Sequence, residues 1–109
     1  MTNQEIEKKL DEARKILSEK EGFFGAELDK LYSDFIKLEI DNAAEIWPLL
    51  SQLFEEIRPE NLQSYEHDPA FPKREIFMFS WKSKRLGRPL TIKFALNGGH
   101  FFYISLRSE

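Results

Sequence analysis

The last third of the chain constrains the fold most, because it holds three consecutive segments with the pattern of antiparallel strands. Residues 89–96 alternate apolar with other side chains, which is the period of a half-buried strand. The apolar positions of that segment are Leu90, Ile92, Phe94 and Leu96. Residues 100–107 are rich in aromatic and β-branched side chains, which favour strands. Residues 75–82 place Phe77, Phe79 and Trp81 at the same alternation. We predict a meander of strands 75–82, 89–96 and 100–107.

The two connecting loops set the predicted register. A four-residue loop over 84–87 pairs Trp81 with Leu90 and Glu75 with Leu96. For the second hairpin we choose a three-residue loop, Asn97-Gly98-Gly99, because it offers a glycine at the left-handed position and a uniformly apolar face. That loop places Phe102, Ile104 and Leu106 on the inner face. The alternative two-residue loop, Gly98-Gly99, would place Phe94 opposite Tyr103.

Three helices are predicted before the strands, over about 3–20, 25–39 and 42–57. Thr2 and Glu5 have the spacing of a capping box, and Asp41 is a candidate N-cap. Phe24 begins the apolar stripe of the second helix. Pro48 lacks an N–H and should either kink the third helix or begin a new one. Helices followed by strands predict an α+β fold, with three N-terminal helices packed on one face of a C-terminal three-stranded antiparallel meander. The meander gains a fourth strand if residues 62–65 form an edge strand rather than a short helix. At 109 residues we expect a single domain, 1–109.

Composition excludes several classes of site. The chain has no cysteine, so it has no disulfide, thiolate metal site or thiol nucleophile. No apolar run approaches the roughly 20 residues of a membrane span, and the N-terminus lacks a signal-peptide pattern. We expect a cytoplasmic protein without cofactors. Glu66, His67 and Asp68 are adjacent, and adjacent residues rarely converge on one ion, so a turn-forming Asp68 before Pro69 is preferred to a metal site.

The charge is unevenly distributed along the chain. Residues 1–67 hold eight basic and sixteen acidic residues, whereas residues 68–109 hold eight basic and three acidic ones. The acidic helical surface is therefore a candidate partner site that could imitate a phosphate backbone or fill a basic cleft. Its candidate residues are Glu39, Asp41, Glu45, Glu55, Glu56 and Glu60.

A second candidate surface is the outer face of the predicted sheet. In the chosen register, aromatic and aliphatic side chains cluster there beside basic ones, which is the composition of an interface centre. The candidate residues are Met78, Lys93, Phe101, Tyr103 and Arg107. An exposed apolar patch usually indicates a partner, and a homodimer would satisfy the same signal. The alternative is that a helix or the segment 62–65 covers this face.

The hairpin 82–88 is basic and lies next to Trp81, which is the combination found in nucleic-acid-binding proteins. The predicted inward orientation of Trp81 and the pI near 5.5 count against that function. Basic residues at strand ends also protect sheets from edge pairing. A nucleic-acid partner is therefore an alternative and not the expectation.

Glu75, Arg85, Arg88 and His100 form the one constellation of catalytic residue types. In order and setting they resemble the barnase-like microbial ribonucleases. The resemblance implies that Glu75 is the base, His100 the acid and an arginine the phosphate clamp. The predicted register places Glu75 and His100 in one row, both opposite Leu96. It leaves the two arginines on the order of 20 Å away, since about six residues at roughly 3.3 Å separate them.

We therefore expect a small non-catalytic protein-binding module that acts by protein–protein contact. Acidic, compact and cysteine-free chains without a catalytic motif are typical of inhibitors, immunity proteins and antitoxins of bacteria or phages. This class assignment is an analogy, because a fold does not imply a function. The alternatives are a ribonuclease using Glu75 and His100, and a nucleic-acid-binding domain using the hairpin 82–88.

Overall fold

The computed structural model describes residues 1–19 and 26–108. Three helices precede a four-stranded antiparallel sheet, so the predicted α+β class is confirmed. The helices are α1 (Asn3–Glu19), α2 (Ala26–Lys37) and α3 (Ala43–Glu56). A short 3-10 turn, Pro59–Asn61, follows α3. The strands are β1 (Leu62–His67), β2 (Glu75–Ser83), β3 (Arg88–Asn97) and β4 (His100–Ser108), in the spatial order β1-β2-β3-β4. The sheet therefore has four strands rather than three.

The N-terminus of α1 forms the predicted capping box. The Thr2 hydroxyl accepts the Glu5 N–H at 3.2 Å, and the Glu5 carboxylate accepts the Thr2 N–H at 3.4 Å. These bonds satisfy two of the N–H groups that a helix start leaves unpaired. The predicted end of this helix at residue 20 lies outside the described residues, as do the predicted start of the second helix at residue 25 and Phe24.

The start of α3 differs from the prediction by one residue. Asn42, not Asp41, is the N-cap, because the Asn42 side chain accepts the Ala44 N–H at 3.1 Å. Pro48 lies inside α3, which is one continuous helix from Ala43 to Glu56, so no new helix begins at Pro48.

The hairpin of β2 and β3 has the predicted register, with Trp81 opposite Leu90 and Glu75 opposite Leu96. The hairpin of β3 and β4 does not. Asn97 pairs with His100 across a two-residue turn, in which Gly98 and Gly99 have φ of 54° and 84°. Positive φ at both central residues belongs to the tight turns that match strand twist, and glycine adopts it without strain. The predicted three-residue loop is therefore wrong.

A bulge in β4 then restores the predicted inward and outward orientation of the side chains that follow it. Phe94 pairs with Tyr103 but Lys93 pairs with Ser105, so Ile104 is the extra residue. Residues before the bulge are turned to the opposite face from the one predicted, whereas Leu106 and the residues after it keep their predicted face.

Phe94 lies at the centre of the core between the helices and the sheet. Its ring stacks on Phe77, Phe79 and Phe101, at centroid distances of 5.4, 5.9 and 5.2 Å. Phe54 of α3 meets it edge-on at 5.0 Å. Such pairs add to the free energy of simple burial, so α3 is held directly against the middle strands.

Helix α2 closes the edge of the sheet at β4. The Glu27 carboxylate accepts the Tyr103 N–H, and the buried Asp34 carboxylate accepts the Leu106 N–H at 3.1 Å. Edge strands leave backbone groups unpaired and invite pairing with other chains. Two acidic side chains of α2 therefore satisfy amide groups on both sides of the bulge.

Candidate protein-binding surface

The outer face of the sheet is the face opposite the helices. The buried side chains of all three helices join one core with the inner-face side chains of the strands. The pairing of the strands assigns the following residues to the outer face: Ser64, Glu66, Ile76, Met78, Ser80, Lys82, Pro89, Thr91, Lys93, Ala95, Asn97, His100, Phe102, Ser105 and Arg107. We use the name outer face for this set.

Apolar side chains occupy the middle of the outer face. Ile76, Met78 and Phe102 come from three different strands, and each is half-buried. Ala95 lies among them and is fully covered. Each of these three side chains is partly exposed to solvent, which gives the sheet an apolar centre on the side away from the core.

Cations surround this centre. Lys82, Lys93 and Arg107 project from β2, β3 and β4, whereas Glu66 is the acidic residue that the strand pairing places on this face. The β1–β2 loop adds Arg74, whose guanidinium lies over the Phe102 ring at 4.4 Å. The outer face therefore combines an apolar centre with a positively charged rim.

The structure divides the five predicted residues of this surface. Met78, Lys93 and Arg107 lie on the outer face, as predicted. Phe101 and Tyr103 do not, because the two-residue turn rotates them inward, and they are 2% and 4% exposed. Placing these two aromatics on the outer face was wrong.

Phe102, Phe71 and Arg74 are the surface residues that sequence reasoning missed. The glycine pair at 98–99 was the available signal, because Gly-Gly favours a two-residue turn and that turn puts Phe102 outside. No pattern in the sequence indicated that the loop between β1 and β2 folds towards this face.

The acidic candidates are spread over the loops and helices of the other side. Five of them are exposed: Glu39, Asp41, Glu45, Glu55 and Glu60. Glu39 has a φ of 67° just after α2, and its N–H donates to the Ile36 carbonyl at 2.9 Å. It therefore has a structural position at the end of the helix as well as an exposed carboxylate.

Glu56, the sixth acidic candidate, is engaged inside the molecule. One carboxylate oxygen accepts the Trp81 indole N–H at 3.1 Å and the Ser83 hydroxyl at 2.8 Å. The other accepts the backbone N–H groups of Lys84 and Arg85 at 3.0 and 3.1 Å. Glu56 thus anchors α3 to the basic hairpin tip. The same bonds hold the largely buried Trp81 indole inside, away from a stacking position on the surface.

Glu56 and its hydrogen bonds predict a loss of stability in acid. Burial alone would raise the pKa of Glu56, but the bonds from Trp81, Ser83 and the two amides outweigh it and lower the pKa below the ordinary 4.5. A lowered pKa in the folded state stabilises the protein above about pH 4.5, and this contribution is lost as the pH falls further.

Glu56→Gln will therefore be less stable than the wild type at pH 7, and the difference will narrow as the pH falls below about 4.5. Urea denaturation at several pH values measures it. Glu55→Gln, a change at the exposed neighbouring residue, is the matched control and should show little difference at any pH. A difference for Glu56→Gln that stays constant down to pH 3 would contradict the assignment.

Glu75 and His100 are not brought together. The Glu75 carboxylate accepts Lys9 and the Tyr65 hydroxyl, each at 2.6 Å, on the helix side of the sheet. Burial alone would raise the pKa of Glu75, but these two bonds outweigh it and lower that pKa. Burial, and then the hydrogen bond to Glu75, raise the pKa of Tyr65 to about 12. His100 pairs with Asn97, which places it on the other face from Glu75. The predicted row of Glu75, Leu96 and His100 is wrong.

Asp68 forms a turn, as the sequence suggested. Its carboxylate accepts the Ala70 N–H at 2.9 Å. Within residues 1–19 and 26–108, no group of three or more His, Cys, Asp or Glu side chains is arranged to hold a metal ion.

The described helices are all too short or too polar to cross a membrane.

Comparisons with known proteins add no relative. No protein-family model, no curated protein and no solved structure matches this chain.

Proposed function

We propose that the protein is a small non-catalytic binding module that acts by protein–protein contact through the outer face. The observation that carries this proposal is the apolar centre of Ile76, Met78 and Phe102 on the sheet face opposite the helices. Aromatic residues, methionine and arginine are enriched at the centres of protein interfaces. A group of partly exposed apolar side chains on one sheet face is the kind of feature that marks an interaction site.

The charges of the surface indicate the chemistry of the partner. Lys82, Lys93 and Arg107 surround the apolar centre, and complementary charges steer association and suppress wrong partners. The partner should therefore present an apolar patch with acidic residues around it. Inhibitors, immunity proteins and antitoxins work through contacts of this type, and the assignment to that class remains an analogy.

Site-specific photo-cross-linking in the cells that make the protein tests the proposal. A diazirine analogue of lysine at position 93 reports on the outer face, and the same analogue at Lys8, an exposed residue of α1, is the matched control. We expect a defined protein to cross-link from position 93 and not from position 8. Equal labelling from both positions, or labelling from position 8 alone, would argue against the outer face.

Met78→Asp should weaken the complex with the purified cross-linked protein by at least about 30-fold, the loss typical of an interface hot spot. Titration calorimetry measures the affinity. Because Met78 is only half-buried, the melting temperature should stay close to that of the wild type. Ser33→Asp, on the exposed side of α2, should leave the affinity unchanged. Light scattering separates the homodimer alternative, in which the wild type alone would dimerise and Met78→Asp would be monomeric.

A further inference from the structure

Arg74 is held against two aromatic rings at the edge of the outer face. Its guanidinium carbon lies 4.7 Å from the centroid of the Phe71 ring and 4.4 Å from that of Phe102. Cation–π contacts of this kind fix the plane of a guanidinium. Phe71 itself is 55% exposed, so part of this cluster faces solvent.

Among residues 1–19 and 26–108, few groups use the hydrogen-bonding capacity of Arg74. Within the described part of the chain, its buried Nε has no hydrogen-bond partner. Its ion-pair partner is Asp68, and the Nη1 to Oδ2 distance is 3.8 Å, which is longer than a hydrogen bond. An arginine has five N–H donors in a fixed fork that matches a carboxylate. The guanidinium is oriented, but its donors are not satisfied by the residues that the structure describes.

The loop that carries Arg74 is well braced. Asp68 N–H donates to the Arg74 carbonyl at 3.0 Å, and Arg74 N–H donates to the Phe71 carbonyl at 2.8 Å. The Phe71 N–H in turn donates to the Asp68 carbonyl at 3.2 Å. A side chain on such a loop loses little freedom on binding, so more of its interaction energy becomes affinity.

A shallow groove lies beside the cluster. Its lining residues are Ala70, Phe71, Pro72, Lys73 and Asn97. Phe71 and Pro72 offer an apolar surface, and Lys73 adds a second positive charge next to Arg74. The site therefore joins two positive charges to an apolar surface.

We propose that Arg74 is the carboxylate receptor of the binding surface. It takes the side chain of an aspartate or glutamate of the partner protein, while a neighbouring apolar side chain of that partner packs on Phe71 and Pro72. This inference rests on the proposed function, since it assumes that the outer face is the docking surface. It identifies Arg74 as the residue that determines specificity and accounts for the acidic rim expected of the partner.

The test uses two synthetic peptides and protein labelled with ¹⁵N. The probes are Ac-Gly-Phe-Glu-Phe-Gly-amide and its isosteric counterpart with glutamine in place of glutamate. We expect the glutamate peptide to shift the resonances of residues 68–74 and 97–102, together with the Arg74 Nε–H signal. The glutamine peptide should bind at least about tenfold more weakly, because it cannot form the charged pair.

Two protein variants complete the test. Arg74→Lys keeps the charge but loses the planar fork of donors. It should therefore lower the affinity for the glutamate peptide at least about tenfold. Arg85→Lys, at an exposed arginine in the turn between β2 and β3, should change the affinity less than twofold. Phe71→Ala should also lower the affinity for the peptide. Because Phe71 is exposed, this change should leave the fold intact. Equal binding of both peptides, or unchanged binding by Arg74→Lys, would overturn the inference. A phosphoserine peptide that binds more than tenfold tighter than the glutamate peptide would also overturn it.

The two proposals fail differently. Suppose that a partner cross-links to position 93 but binds the Arg74→Lys variant with the same affinity as the wild type. This result would support the proposed function and contradict the role of Arg74. Peptide binding at Arg74 without any cross-link at position 93 would support the role of Arg74 and contradict the proposed function of the outer face.

Discussion

Phe101→Glu will abolish or nearly abolish folding at 25 °C. The Phe101 ring is 2% exposed, stacks on Phe94 at 5.2 Å and meets Phe54 edge-on at 5.6 Å. Removing a buried phenylalanine costs about 3–5 kcal/mol, and burying an unpaired carboxylate costs several more. That total is comparable to the about 5–15 kcal/mol by which a domain is stable. Urea denaturation and circular dichroism measure the loss.

Phe102→Glu is the matched control for this prediction. It makes the same chemical change one residue further on, at a half-buried position on the outer face, and should change the stability by about 1 kcal/mol or less. The pair of variants reports the register directly. With a three-residue loop the two results would be exchanged, so a stable Phe101→Glu with an unfolded Phe102→Glu would refute the two-residue turn.

The second large effect is expected at Asp34, a residue of α2 that is buried against β4. Its carboxylate accepts the Tyr103 hydroxyl, the Leu106 N–H and the Lys30 ammonium group. Burial, and then the bond and charge of Asp34, raise the pKa of Tyr103 above its ordinary 10.0. Asp34→Ala removes the carboxylate that accepts hydrogen bonds from a buried hydroxyl and a buried amide, at about 1–3 kcal/mol for each bond lost. We therefore expect a loss of about 2–6 kcal/mol in the free energy of unfolding.

A double-mutant cycle with Tyr103→Phe separates the contributions of the hydroxyl and the amide that donate to Asp34. Removing the hydroxyl should cost less in the Asp34→Ala background than in the wild type, because its hydrogen bond to Asp34 is already gone. Asp29→Ala, an exposed acidic residue of the same helix, should be near neutral. Equal effects of Asp34→Ala and Asp29→Ala would contradict the structural role of Asp34.

The candidate surface was predictable only in part. Met78 and Lys93 could be assigned to the outer face because β2 and β3 alternate cleanly and their loop length was correctly predicted. Phe71 and Arg74 could not, since their position depends on how a loop with two prolines folds over β4. Glu56 looked like any surface glutamate, because the four donors that surround its carboxylate lie more than twenty residues away in sequence.

Local sequence determined the α+β class, the approximate helices and the hairpin of β2 and β3. These features depend on periodicity, capping and loop length, which act between residues close in the chain. The register of β4 was different, because four consecutive apolar residues, 101–104, allow either alternating pair to face inward. Only the tertiary structure decided between them. Phe101 fits against Phe54 and Phe94, and Tyr103 reaches Asp34 on α2, which lies 69 residues away in the chain. Contacts between residues so far apart in the chain do not appear in any local sequence pattern. These contacts place Phe101 in the core, so that Phe102 lies on the outer face.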